Sequence, residues 1–181
     1  MIEMPKVVTH RYDPAQGAGL NLCSLSDFNA SLVLDRLRRE SRPTLKPNYR
    51  ARRRATEGWL SEAARKLLKQ SFAGEPVYFF LGDFSYWGDP SRPAALVLPL
   101  DKLPVAAMTF TLGDSMTVAE EPGRRVYNFE QMAALFCQGE LVSRFGFSDR
   151  SGFQTHFIEA QLWDKSALPV PEDYLRTMSF L

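Results

Sequence analysis

Four side chains near the C-terminal end, Phe157, Glu159, Gln161 and Trp163, alternate with Ile158, Ala160 and Leu162. The period of two predicts a strand over about 155–163, with the aliphatic set on the core face and the other four on the opposite face. A carboxylate and a carboxamide one pleat apart, bracketed by aromatic rings, suit a pocket wall that orients a planar polar ligand. Apolar surroundings raise the energy of an ionised Glu159 unless a ligand, water or basic group compensates. Glu159 is therefore the candidate catalytic residue, with Phe157, Gln161 and Trp163 as candidate ligand contacts. The alternative is an edge strand with a polar stripe facing solvent.

Two turns supply further candidates. The apolar run at 106–112 ends at Gly113, Asp114 and Ser115, a turn whose side chains either close the local backbone or reach into a cleft. No G-x-S-x-G surrounds Ser115, so ligand contact by Asp114 and Ser115 is the functional reading rather than nucleophilic attack. The segment 78–90 joins an apolar strand to a loop displaying Asp83, Tyr86, Trp87 and Asp89, and Tyr86 and Trp87 are suited to stacking on a base. Other signatures fail: there is no G-x-G-x-x-G and no phosphate-binding Gly-Lys-Ser/Thr loop. His10 and His156 read as surface or structural residues, and Cys23 as a small buried thiol. Two cysteines and two histidines so far apart predict neither a disulfide framework nor a metal site.

Charge is unevenly distributed. The 181 residues carry a formal net charge of +1, yet 36–54 holds nine Lys or Arg and one acid, Glu40, so this segment is +8 and the remainder −7. Such asymmetry can attract a nucleic acid or another phosphate-bearing partner while the acidic remainder limits indiscriminate binding. Arg50, Arg52, Arg53 and Arg54 are the candidate phosphate contacts, and the alternative is that two helices present solvated faces here. The expected behaviour is salt-dependent binding of polyanions.

These candidates need elements to position them. Residues 20–25 suggest a short strand running into a helix near 26–40, with Ser24 and Asp27 as a capping pair and Ala30, Val33, Leu34 and Leu37 on one face. Pro47 suits the first turn of a second helix, whose apolar face carries Leu60, Ala63, Ala64, Leu67 and Leu68. Runs at 77–81, 94–100 and 106–112 read as strands, and 124–127 as a further one. Asn128 with Gln131 marks a helix start and Gly139 its end; 145–153 is a Gly-rich aromatic loop, and Pro169 and Pro171 delimit a terminal tail. The expected fold is a single α+β domain over 1–181, with N-terminal helices packed on a mixed or antiparallel sheet. With 45% hydrophobic residues, no apolar run of about 20 and no leader pattern, the expected setting is cytoplasmic and free of membrane.

The order of these features resembles the ADP-ribosyltransferase fold, in particular the small bacterial toxins that modify nucleic acid. The residues 20–28 occupy the place of the opening polar motif, and Glu159 that of the closing strand's glutamate. Leu22, Cys23 and Ser24 stand where one large branch has a His-Tyr-Thr type triplet. The resemblance implies NAD as cofactor or substrate and cleavage of its nicotinamide–ribose bond. Glu159 would polarise the ribose or the acceptor in an oxocarbenium-like transition state. Two functions follow: a nucleotide-handling enzyme acting on nucleic acid or protein, or a noncatalytic nucleic-acid-binding or regulatory module using the 36–54 surface.

Overall fold

The computed structural model describes residues 3–40, 42–138 and 157–168. The predicted loop at 145–153, His156, Gly139 and the tail after Pro169 lie outside the described residues. The architecture is α+β: among the described residues six strands form one antiparallel sheet, accompanied by four α-helices. In chain order the elements are β1 (Val7–Tyr12), α1 (Asp27–Glu40), α2 (Tyr49–Leu68), β2 (Val77–Leu81) and β3 (Ala94–Pro99), then β4 (Met108–Thr111), α3 (Ser115–Val118), β5 (Tyr127–Asn128), α4 (Phe129–Cys137) and β6 (Glu159–Leu162). The strand order β3-β1-β2-β6-β4-β5 makes β6 an interior strand, paired to β2 on one side and β4 on the other. The backbone carrying Glu159 is thus held from both sides.

Register separates two faces. Leu162 lies opposite Val77 and Met108, and Ala160 opposite Phe79 and Phe110. These residues, with Ile158, pack on Met132 and Phe136 of α4 in the main core. On the other face Gln161 lies opposite Tyr78 and Thr109, and Glu159 opposite Phe80 and Thr111. That face is polar, and α2 covers part of it by packing Leu60 and Ala64 on Trp163. The sheet therefore has an apolar core on the α4 side and a buried polar layer on the α2 side.

Local chemistry explains the helix limits. The Ser26 hydroxyl accepts from the Asn29 amide and caps α1, whereas Ser24, the expected cap, instead donates to Glu75. α2 starts two residues beyond Pro47, runs through Gly58 unbroken, and stops where Lys69 adopts a left-handed φ of 54°. Asn128 and Gln131 form a reciprocal capping box at the start of α4. Three expectations need correction. Residues 22–24 form a 3-10 turn rather than a strand, because the Asn21 side chain accepts the Cys23 amide and closes the backbone locally. The strand expected at 124–127 shrinks to Tyr127–Asn128, and β1 is a strand that the alternation of apolar residues did not mark.

Leu162 has no exposed surface and sits between two strands and α4. Leu162→Ala should cost about 2–5 kcal/mol through lost burial and a residual cavity, read from urea unfolding. A loss below about 1 kcal/mol would show that the α4 side does not close around this position.

Candidate functional site

A cavity of about 460 Å³ opens between the polar sheet face, the start of α2 and the loop after β2. Glu159, 8% exposed, lies in it together with Arg53 of α2, Tyr78 and Phe80 of β2, and Asp114. Trp87 and Phe157 line it as well, their rings 5.8 Å apart and both in contact with Phe80. Arg11, Arg42, Arg92 and Asp89 line it alongside. Residues from six segments far apart in sequence thus converge, with one carboxylate sequestered among aromatic rings and a guanidinium beside it.

Glu159 is held by a relay across the buried sheet face. The Trp163 indole N–H donates to Thr109 Oγ1 at 2.9 Å, and the Thr109 hydroxyl donates to Gln161 Oε1 at 2.9 Å. Gln161 Nε2 then donates to Glu159 Oε1 and to Thr111 Oγ1, each at 3.1 Å. Each bond orients the next, so the carboxyl group has little rotational freedom. Burial pushes its pKa up, to about 6; Arg53 pulls the other way, Asp114 adds to the rise, and Ser115 and Gln161 favour the anion. The carboxyl is therefore mostly ionised at neutral pH and titrates within reach of it.

Arg53 is the cation of this site. Its guanidinium lies 3.9 Å from the Tyr78 ring centroid, and its Nε donates to Glu57 at 3.1 Å. It stays protonated, because nearby anionic groups, Glu159 and Glu57 among them, outweigh its burial. Arg11 serves the cavity differently: Nε, Nη1 and Nη2 donate to the carbonyls of Arg92, Ser85 and Pro93, fastening the loop that carries Trp87. Thr9 holds the same loop by donating to the Gly82 carbonyl and accepting from the Phe84 amide. Arg42 and Arg92 both pair with Asp89.

The expected contacts divide in two. Glu159, Asp114, Trp87, Phe157 and Arg53 line the cavity. Asp114 also caps α3, accepting from the Met116 amide at 2.8 Å. Gln161 and Trp163 do not line it, because α2 covers their stretch of the sheet and both are spent on the relay. Ser115 is buried outside the lining, where its hydroxyl favours the Glu159 anion. Tyr86 is 68% exposed and stacks on Phe84 outside the cavity.

The basic segment is also different from a bare cationic surface. Seven of its nine cations pair with acids of the chain: Arg36 with Asp13, Arg38 with Asp35, Arg42 with Asp89, Arg50 and Arg54 with Asp27, Arg52 with Glu120, and Arg53 with Glu57. Arg54 keeps 53% of its side chain exposed, but Arg50 keeps 15% and Arg53 13%. Those two are largely shielded from bulk solvent, Arg53 in the cavity lining and Arg50 against Asp27 and the Leu25 carbonyl. Tyr78, Glu57 and Asn21 are neighbours of the site that the sequence did not single out, and Arg53, expected as a phosphate contact, was not assigned to the Glu159 pocket; an Arg and a Glu four apart inside an Arg-rich helix was the available signal.

His10, which also lines the cavity, and Cys23 are both buried. Gly19 N–H donates to His10 Nε2, so Nδ1 carries the proton that faces the Tyr78 carbonyl at 2.8 Å. Burial lowers the His10 pKa to about 4, so the ring is neutral. Burial and the adjacent Glu57 push the Cys23 thiol up to about 12, far from a reactive thiolate. Among the described residues no group of three or more His, Cys, Asp or Glu is placed to hold a metal ion. No described helix is long and apolar enough to cross a membrane.

His10 and Glu159 give opposite pH dependences. On acidification between its ordinary value of 6.5 and its folded value of about 4, His10 takes up a proton only in the unfolded chain, so stability falls. Between 4.5 and about 6 Glu159 takes one up preferentially in the fold, so stability rises as pH falls. Over their shared window the two effects cancel. Glu159→Gln removes the second, so on acidification through that window its stability should fall more steeply than that of wild type, by up to about 1.4 kcal/mol per pH unit. Parallel urea curves for both proteins from pH 6 to 4.5 would contradict the assignment.

Comparison with known proteins returns no counterpart: no family model matches this chain, and no curated protein and no solved structure matches it.

Proposed function

We propose that this chain is a nucleotide-handling enzyme that uses NAD, breaking the nicotinamide–ribose bond and passing the ADP-ribosyl group to a nucleic acid or protein acceptor. The observation that carries the reading is the placement of Glu159: a buried, oriented carboxylate in one cavity with Arg53, Trp87 and Phe157. The bond's electron pair leaves with the nicotinamide ring nitrogen, and positive charge develops on the ribose as an oxocarbenium ion. A fixed anion accepting a hydrogen bond from the ribose, or a proton from the acceptor, stabilises that charge more than it stabilises the ground state. The aromatic wall of Trp87, Phe80 and Phe157 suits a planar ring, and Arg53 suits a phosphate or a ribose oxygen. Two cysteines, both free thiols, fit a reducing compartment such as the cytoplasm.

The noncatalytic module reading draws less support, because in-chain carboxylates already neutralise most of the arginines it would need. The assay is nicotinamide release from NAD, with and without single-stranded DNA, RNA or protein acceptors. Wild type should turn over, and Glu159→Gln should be slower by about 10²–10⁴-fold with its fold retained. No release by wild type under any acceptor condition would overturn the transferase, and equal rates for both proteins would remove Glu159 from the chemistry.

A further inference from the structure

Behind the cavity wall lies a second carboxylate that the proposed reaction does not use. Glu57, 5% exposed, sits one helical turn after Arg53 on α2. Its Oε1 accepts three hydrogen bonds: from Asn21 Nδ2 at 2.8 Å, from Arg53 Nε at 3.1 Å and from the Tyr78 hydroxyl at 3.2 Å. Among the described residues its Oε2, also buried, has no hydrogen-bond partner. Asn21 is itself anchored, donating to the Pro76 carbonyl at 3.0 Å and accepting the Cys23 amide. Glu57 is absent from the cavity lining, while Arg53 and Tyr78 are both in it. A buried carboxylate with an unsatisfied oxygen is costly, and here it is retained as the common acceptor of three donors.

We infer that Glu57 is a positioning residue: its carboxylate locks the Arg53 guanidinium and the Tyr78 hydroxyl in place, and so keeps a fixed cation beside Glu159. An arginine has several rotatable bonds, and a single tether at Nε with the ring of Tyr78 beneath restricts them to one arrangement. The charge that offsets the burial of Glu159 is then present before any ligand arrives. This deepens the enzyme reading and rests on it for its catalytic meaning, but its physical content is measurable without turnover.

The measurable quantity is the titration of Glu159. The groups facing Glu159 are Arg53 and Tyr78 from α2 and β2, Asp114 and Ser115 at the start of α3, and Gln161 on its own strand. Those facing Glu57 are Arg53, Tyr78, Asn21 and Cys23, and Glu75 lies close to Cys23. Loss of Glu57 acts on Glu159 in two opposed ways. Removing a negative charge lowers the Glu159 midpoint, whereas releasing Arg53 from its tether raises it. Positioning requires the second effect to win.

The experiment follows the side-chain carboxyl resonance of Glu159 by 13C NMR in glutamate-labelled protein, assigned by its loss in Glu159→Gln. Glu57→Gln should move the midpoint upward by at least about half a pH unit. In an Arg53→Gln background the same substitution should give no upward movement, since the group it acts through is gone. Glu57→Asp keeps the charge, withdraws it by one methylene and should shift the midpoint in the same upward direction, which preserves the test if Glu57→Gln does not fold. A downward or unchanged midpoint in the wild-type background, or an equal rise with and without Arg53, would overturn the inference. Absence of nicotinamide release would leave these titrations intact, so the two readings fail separately.

Discussion

The cavity depends on one electrostatic arrangement, a carboxylate buried on the interior strand of the sheet and offset by a guanidinium delivered from α2. Burying an ionised carboxylate without compensation is prohibitive, and the fold answers with geometry from both sides. From within the sheet, Trp163, Thr109 and Gln161 pass a chain of hydrogen bonds to Glu159. From above, α2 crosses the polar face so that Leu60 and Ala64 meet Trp163 while Arg53, two to three turns earlier, reaches the cavity. The apolar contact at one end of α2 therefore sets the position of the charge at the other. Asn21 and Glu57 complete the frame by tying the turn before α1 to the same helix.

The basic segment takes part in this frame. Its +8 charge and the −7 of the remaining chain are largely matched residue by residue, with Asp13, Asp27, Asp89 and Glu120 reaching back to arginines from other segments. Individually exposed pairs of this kind contribute little to stability, from about zero to 1 kcal/mol each. Asp27 with Arg50 and Arg54 ties α1 to α2, and Arg42 with Asp89 ties the connection between the two helices to the loop that carries Trp87. Arg39 and Lys46 remain exposed, and Arg54 keeps about half of its side chain exposed at 53%.

How much of this the sequence disclosed follows from which residues announce their surroundings. The alternation around Glu159 revealed a strand and its two faces, because Ile158, Ala160 and Leu162 pack on one side only. Aromatic Trp87 and Phe157 and acidic Asp114 were legible as types that rarely stand idle beside a strand. β1 was not legible, because Thr9 and Arg11 point to a polar layer and fasten a loop, so its residues lack an apolar period. Gln161 and Trp163 were correctly placed on the polar face, yet only packing by α2 decides that this part of the face is sealed. Among several arginines, Arg53 differs by its burial and its partners, properties that depend on Glu57, Tyr78 and the tertiary fold rather than on the local string.

The central claim is that Arg53, poised beside Glu159, is the cation that receives an anionic nucleotide in this cavity. The most direct measurement is the thermal unfolding midpoint of wild type and Arg53→Gln across a concentration series of NAD at pH 7. A ligand that binds only the folded state stabilises it by about 2.7 kcal/mol at one hundred times its dissociation constant. The account predicts a midpoint that climbs with NAD for wild type and stays level for a folded Arg53→Gln protein. An equal rise in both proteins, or none in wild type at millimolar NAD, would contradict it.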